Sequence, residues 1–200
     1  MPKEPPESAP RLGMDTATAT LSLALWWPQS QRVERHQVAL GRNLGGRLSS
    51  DIDTFLHAHH VDRRDLGGIG VGVGPGSFTG ARIGVAWALA VGRALGIPVV
   101  GGDSLAALAT AVLEPDSRGW VGISTRRQQA RVGHFYRTTA GDVVALAPTI
   151  ELRLGDEPSH RQGSEPLIID EVPDALHHAK AVDAGAALAP AVRYGEAEPA

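Results

Sequence analysis

The sequence predicts an α/β protein of two lobes, and three features carry that prediction. A β-branched run at Ile69, Val71 and Val73 leads through a Gly-rich turn into a long Ala/Gly/Val helix. Gly96-Ile97-Pro98 stops that helix before a second buried strand at Val99-Val100. Three short strands precede this unit, and a second, strand-rich half begins near Glu114-Pro115.

The elements follow in order. Residues 1–10 hold Pro2, Pro5, Pro6 and Pro10 with charges and no apolar stretch, which predicts a disordered tail. Leu12 to Asp15 and Leu21 to Trp27 read as strands, the second with Thr20, Ser22 and Ala24 alternating against Leu21, Leu23 and Leu25; Val33 to Leu40 completes a meander. Leu44, Leu48, Ile52, Phe55 and Leu56 mark one helix face, behind a start loosened by Gly41, Gly45 and Gly46. Asp62 to Gly68 turns the chain into the 69–73 strand. In the 79–95 helix, Gly80, Gly84, Ala88 and Gly92 fall four apart, making a stripe of nearly bare backbone. Each glycine there costs roughly 1 kcal/mol against alanine, so the stripe reads as a packing surface that another helix approaches closely. Ser104 to Leu113 is a further helix, and 11–113 forms the first lobe. Residues 114–200 read as the second lobe, short at its C-terminal end. It holds strands at Trp120–Ile123, Ala130–Tyr136, Val143–Ala147 and Leu167–Ile169 and a helix over Ala175–Leu188. The order of meander, helix, strand, helix resembles a lobe of the ribonuclease H-like (actin-like ATPase) fold.

Composition narrows the function. A net charge of −3 argues against a free-standing nucleic-acid binder, which carries a basic surplus. With no cysteine, neither a disulfide frame nor thiolate chemistry is available, which suits the cytoplasm. The longest uncharged run of the long helix, Ile83 to Gly92, is too short to span a bilayer, so no membrane is expected as a partner.

The Gly-rich turn resembles a phosphate cradle but misses both common patterns. A Walker loop needs Gly-Lys-Ser/Thr after its four-residue spacer, and here Gly80 precedes Ala81 and Arg82. A dinucleotide loop starting at Gly74 would need a third glycine where Thr79 stands. Backbone amides at the helix start could still hold an anion. Gly74, Gly76, Ser77 and Thr79 are its candidate residues, with Asp15 and Thr16 after the first strand, where actin-like ATPases keep a carboxylate near Mg-phosphate. The alternative is a purely structural turn beside a capped hairpin.

The run Gly74-Pro75-Gly76-Ser77-Phe78-Thr79-Gly80-Ala81-Arg82-Ile83-Gly84 resembles the signature of the TsaB (YeaZ) family. Met14-Asp15-Thr16-Ala17-Thr18-Ala19-Thr20-Leu21-Ser22-Leu23-Ala24-Leu25 is similar to that family's opening hairpin. Gly96-Ile97-Pro98-Val99-Val100-Gly101 with Ser104, Leu105 and Leu108 is similar to its next step, so the likeness covers about Leu12 to Ala111. The resemblance implies a non-catalytic partner of TsaD, acting with the ATPase TsaE, in threonylcarbamoylation of adenosine 37 in tRNAs reading codons that begin with A. It implies no cofactor of its own, with ATP or ADP at most at the complex interface. Contact with tRNA would come only through the complex, and a homodimer would form when the chain is alone.

Departures from the relatives matter as much. TsaD carries two metal-binding histidines four residues apart after its Gly-x-Pro strand, and Ser104 and Leu108 stand in those places here. A leucine cannot ligate a metal. The histidines at 57, 59, 60, 177 and 178 read as solvated helix residues. Family members show Asp-Ala-Arg followed by Glu where this chain has Ser124-Thr125-Arg126 and Gln129, so both acids are lost. Arg118, Arg126, Arg127, Arg131 and Arg137 make a locally basic hairpin, read as a solvated face or as a contributor to tRNA phosphate binding within a complex.

A hydrolase reading competes. Gly102-Asp103-Ser104-Leu105 spells the block of the GDSL hydrolases and Asp174-Ala175-Leu176-His177 their Asp-x-x-His, making Ser104 the nucleophile and His177 its base, oriented by Asp174. That family's Gly-x-Asn-Asp block is absent, and its serine block lies near the N-terminus. On that account Ser104 is otherwise a helix N-cap. For the partner reading, the expected interface comprises Leu44, Leu48, Ile52, Gly80, Arg82, Ile83, Gly84, Trp87, Ala88 and Gly92, two helices from each chain meeting across the glycine stripe.

Overall fold

Alternation along the strands decides what each face of the first sheet can touch. The computed structural model describes residues 8–39, 44–125, 128–159, 161 and 165–184. The first sheet contains β1 (Arg11–Asp15), β2 (Thr20–Trp27), β3 (Arg32–Ala39), β4 (Gly68–Gly72) and β5 (Val99–Gly102), in the order β3-β2-β1-β4-β5. The meander β1-β2-β3 is antiparallel, and β4 and β5 add parallel to β1, the ribonuclease H-like arrangement that the element order predicted. On one face Leu12, Met14, Leu21, Leu23, Leu25, Ile69 and Val71 form the main core. Against them lie α1 (Leu44–Ala58), through Leu48, Ile52, Phe55 and Leu56, and α2 (Phe78–Leu95), through Val85 and Ala88. The side chain of Leu44, which opens α1, lies outside the described residues.

The opposite face is floored by glycine. Gly13, Gly68, Gly70, Gly72 and Gly102 all lie on that face; α4 (Ala175–Ala181) covers Gly13, Gly70 and Gly102, Val182 just beyond it covers Gly68, and the Asp15 and Ser104 side chains cover Gly72. A Cβ on Gly13 would strike the Ala175 carbonyl oxygen, and one on Gly70 the carbonyl oxygen of His178. The helix therefore rests on the sheet backbone to backbone, which only strands lacking side chains permit.

α3 (Ser104–Val112) separates the two sheets. Leu105, Leu108, Ala109 and the following Leu113 pack on Val121, Ile123 and Phe135 of the second sheet. That sheet runs β10 (Leu167–Ile169), β6 (Ser117–Ser124), β7 (Gln129–Arg137), β8 (Val143–Ala145), with β9 (Ile150–Arg153) also pairing with β7. β10 is parallel to β6, and the other pairs are antiparallel.

Four expectations change. The segment from 175 was placed with the second lobe, but α4 crosses back to the first sheet and touches β1, β2, β4 and β5. It also ends at Ala181, not at Leu188; residues 185–188 lie outside the description. β9 was not anticipated, being four residues of edge strand behind Pro148. The expected tail begins its order early: Pro10 is buried and its carbonyl accepts from the Gly67 amide, while residues 1–7 lie outside the description, as does Leu40 at the end of the third strand.

Candidate functional site

The outer face of α2 is the most exposed apolar helix surface in the first lobe. Ser77 caps the helix, its Oγ accepting from the Gly80 amide at 3.2 Å, and Gly96 in the left-handed conformation ends it. Phe78 and Leu89 are 37% and 42% exposed, and Arg82, Ala86, Ala90 and Arg93 are exposed on the same helix. The Arg82 guanidinium lies 4.2 Å from the Phe78 ring centroid. Ile83 and Trp87 are half-buried toward α1. Arg63 fixes that edge, its guanidinium 5.5 Å from the Trp87 ring and bonded to both Asp53 oxygens at 2.5 and 2.7 Å.

The glycine stripe does not belong to this face. Gly80, Gly84, Ala88 and Gly92 are buried in their own lobe. A Cβ on Gly80 would meet the Thr16 carbonyl oxygen, on Gly84 the Thr16 hydroxyl, and on Gly92 the Val99 side chain. Leu48 and Ile52 are likewise core residues. Six of the ten expected interface residues thus serve the lobe internally. The stripe permits close approach, as expected, but what approaches is β1, β5 and the Asp15–Thr16 turn. Of the expected set, Arg82, Ile83 and Trp87 remain on or near the surface.

The loop residues do come together, and they bond to one another. Asp15 is 1% exposed, with Oδ1 accepting from the Ala17 amide at 2.7 Å and Oδ2 held 2.8 Å from Nε2 of His178. Thr16 is buried and donates to the Gly80 carbonyl at 2.9 Å. Ser77 N donates to Ala17 O, and Gly74 N donates to Ser104 Oγ at 3.2 Å. Gly76 sits so close to Ala17 that a Cβ would collide with its carbonyl oxygen. Thr79 is exposed in the first turn of α2. As arranged, the Asp15 carboxylate faces α4, not a cleft, and both of its oxygens are engaged.

The hydrolase constellation does not assemble. Ser104 is fully buried and accepts from a backbone amide, while the N-cap of α3 is Asp103, whose Oδ1 accepts from Leu105 and Ala106. Asp174 caps α4 and pairs with Arg35 at 3.2 Å. His177 meets Thr110 Oγ1 at 3.4 Å. Burial, then the neighbouring His178, pushes the His177 pKa down to about 4 against the opposing pull of Asp174, Asp15 and Asp142. The solvated reading of His177 and His178 therefore fails, because both sit between α4 and what it covers. Of the basic hairpin, Arg131 pairs with Glu151 at 3.1 Å and Arg137 donates to the Leu113 carbonyl, while Arg126 and Arg127 lie outside the described residues. Among the described residues no group of three or more His, Asp or Glu side chains is placed to hold a metal ion, and no helix is long and apolar enough to cross a membrane.

Comparison with known proteins places this arrangement. The family model described as TsaD, tRNA N6-adenosine threonylcarbamoyltransferase, matches residues 40–149. An uncharacterised protein of Mycobacterium tuberculosis is 38% identical over 105 residues, covering 48% of this chain and 46% of that protein. The tRNA threonylcarbamoyladenosine biosynthesis protein TsaB of Escherichia coli is 35% identical over 100 residues, covering 49% and 42%. The matched stretch thus spans about half the length of these relatives. The structure of YeaZ from Pseudomonas aeruginosa superposes with a TM-score of 0.73 at 22% identity, over 89% of this chain and 92% of that one, which shows the shared fold. The matched model covers more than half of the sequence, and the chain belongs to its family, that of the tRNA N6-adenosine threonylcarbamoyltransferase TsaD; within that family its signature at 74–84 and its matched relatives are similar to TsaB (YeaZ).

Proposed function

We propose that this chain is a non-catalytic partner of TsaD in tRNA threonylcarbamoylation, and that it pairs through the outer face of α2 with the adjoining edge of α1. The observation that carries the reading is the fate of the two metal-histidine positions. Ser104 and Leu108 are both fully buried, Leu108 inside the cluster that α3 makes with the second sheet. A serine bonded to the Gly74 amide and a core leucine supply no ligand pair, so the transfer chemistry falls to TsaD. The relatives named TsaB support the pathway, and the match to the TsaD model supports a shared ancestry with the catalytic partner.

The exposed stripe of Phe78, Leu89 and the intervening alanines, edged by Arg82 and Arg93, suits a helical partner with an apolar face and flanking carboxylates. The same surface would support a homodimer when TsaD is absent. TsaE and tRNA would engage the assembled complex. ATP or ADP, if used, would sit between partners, since Asp15 is engaged internally. The cytoplasm, where tRNA is modified, is the proposed location.

The test is reconstitution. TsaD, TsaE, threonylcarbamoyl-adenylate and tRNA should give modified adenosine 37 only when this chain is added. Threonylcarbamoyl transfer by this chain alone, with iron or zinc supplied, would overturn the assignment of roles.

A further inference from the structure

We propose that β3 is a self-association edge: two copies of this chain pair their β3 strands antiparallel about a two-fold axis at Arg35, joining the two first sheets edge to edge and leaving the outer face of α2 free.

β3 is the long open edge of the fold. It runs eight residues, whereas β5, β8, β9 and β10, the other strands at sheet margins, have three or four. Among the described residues no strand pairs with its outer side, and Arg32, Arg35, His36, Gln37 and Ala39 are exposed. A monomer guards such an edge with a proline, a lysine, a bulge or a short strand. β3 has none of these, and its register with β2 is unbroken from Thr20 opposite Ala39 to Trp27 opposite Arg32. Its charged side chains are drawn onto the two sheet faces instead. Arg32 pairs with Glu34 at 3.0 Å, Glu34 lies 3.9 Å from His59 of α1, and His36 stacks on Phe55 of the same helix. On the opposite face Arg35 pairs with Asp174 at 3.2 Å. The outward N–H and C=O groups between those faces are left for a further strand.

The side chains select a second copy as that strand and fix its register. Residues directly opposite in an antiparallel pair share a face, so Glu34 can meet His36 of the other copy, which also lies on the α1 face, but not Arg35. An axis at Arg35 sets Glu34 opposite His36 twice, a carboxylate facing an imidazole that can donate to it. It also sets Val33 opposite Gln37 and Arg32 opposite Val38. Moving the axis one residue either way would set Glu34 against Glu34, or His36 against His36. The two Arg35 side chains meet at the axis, each already paired with Asp174 of its own chain. α1 stands between β3, which it meets at His36, and α2, which it meets at Ile83, so the α2 face stays open. The pairing does not depend on what α2 binds.

The chain has no cysteine, so one introduced thiol reads the geometry. The test uses the full chain carrying Leu89→Arg, which keeps pairing through α2 out of the measurement, with circular dichroism to show that every variant is folded. Sedimentation over a concentration series should show a reversible monomer–dimer equilibrium. Arg35→Cys puts its two thiols on the axis, with Cα atoms about 4.5–5.5 Å apart and within disulfide reach. In Gln37→Cys the two Cα atoms lie roughly 14 Å apart, so oxidation should link the first variant about tenfold faster. His36→Glu should weaken the dimer about tenfold, since two carboxylates then face each other on both sides of the axis, and adding Glu34→Lys should restore it. A Leu89→Arg chain that stays monomeric, equal cross-linking from positions 35 and 37, or a dimer indifferent to His36→Glu would each overturn the proposal.

Discussion

Deleting Asp15 leaves the His178 ring enclosed without a partner, and deleting His178 strands the Asp15 Oδ2 that faced it. Such a loss costs about 3–5 kcal/mol, whereas an exposed pair such as Arg32–Glu34 contributes under about 1 kcal/mol. Asp15→Ala should therefore lower the urea midpoint severely and Glu34→Ala hardly at all. Equal effects of the two changes would show that the buried pair does not hold the first lobe to α4. Ser104→Ala should leave any trace esterase signal unchanged, because the hydroxyl is sealed inside the fold; its loss in a folded variant would revive the hydrolase reading. The importance of His178 was not legible from its own neighbourhood, since two adjacent histidines on a helix say nothing of what the helix lies on. The signal was elsewhere, in the strict alternation Gly68-Ile69-Gly70-Val71-Gly72. Every second position without a side chain, on a strand whose other face is core, calls for something to cover that face at close range.

At the scale of elements, glycines on the two faces of the fold should respond in opposite ways. Gly70→Ala would drive a methyl into the His178 carbonyl and must lift α4, a backbone displacement costing about 1–3 kcal/mol. Gly45→Ala in α1 meets only Ile83 at ordinary contact distance and should be neutral or stabilising by up to about 1 kcal/mol. Thermal melts of the two variants check both signs. His177 adds a pH term. Its pKa in the fold, about 4, lies below its unfolded value near 6.5, so the unfolded chain binds the extra proton between those limits. Stability from this group is complete above pH 6.5 and declines as the pH falls toward 4, by at most on the order of 3 kcal/mol. A His177→Phe variant should show a flatter urea-midpoint profile across that window. Most of these elements were legible because each carries local punctuation: Ser77 and Gly96 bound α2, and β-branched or leucine alternation marks β1, β2 and β4. β9 and the seat of α4 were not, since a four-residue edge strand and a crossover depend on contacts far along the chain.

For the whole molecule, the two-lobed architecture follows from the order of elements, but which face of α2 stays exposed is set by packing that the sequence does not spell out. A stripe of small residues permits close approach without saying from which side, and Met14, Thr16 and Val99 occupy that side here. Ala88→Arg would thus put a charge into the lobe's own core and report on folding rather than pairing. Leu89 stands one residue away on the outer face, where an arginine is tolerated by the fold but not by an apolar partner surface. The most direct measurement is sedimentation of the purified Leu89→Arg protein with and without TsaD, beside the unchanged chain, after circular dichroism has shown that both are folded. The account predicts that the unchanged chain forms a complex with TsaD and that Leu89→Arg weakens it at least tenfold. A folded Leu89→Arg protein that pairs with unchanged affinity, or an unchanged chain that does not pair with TsaD at all, would contradict it.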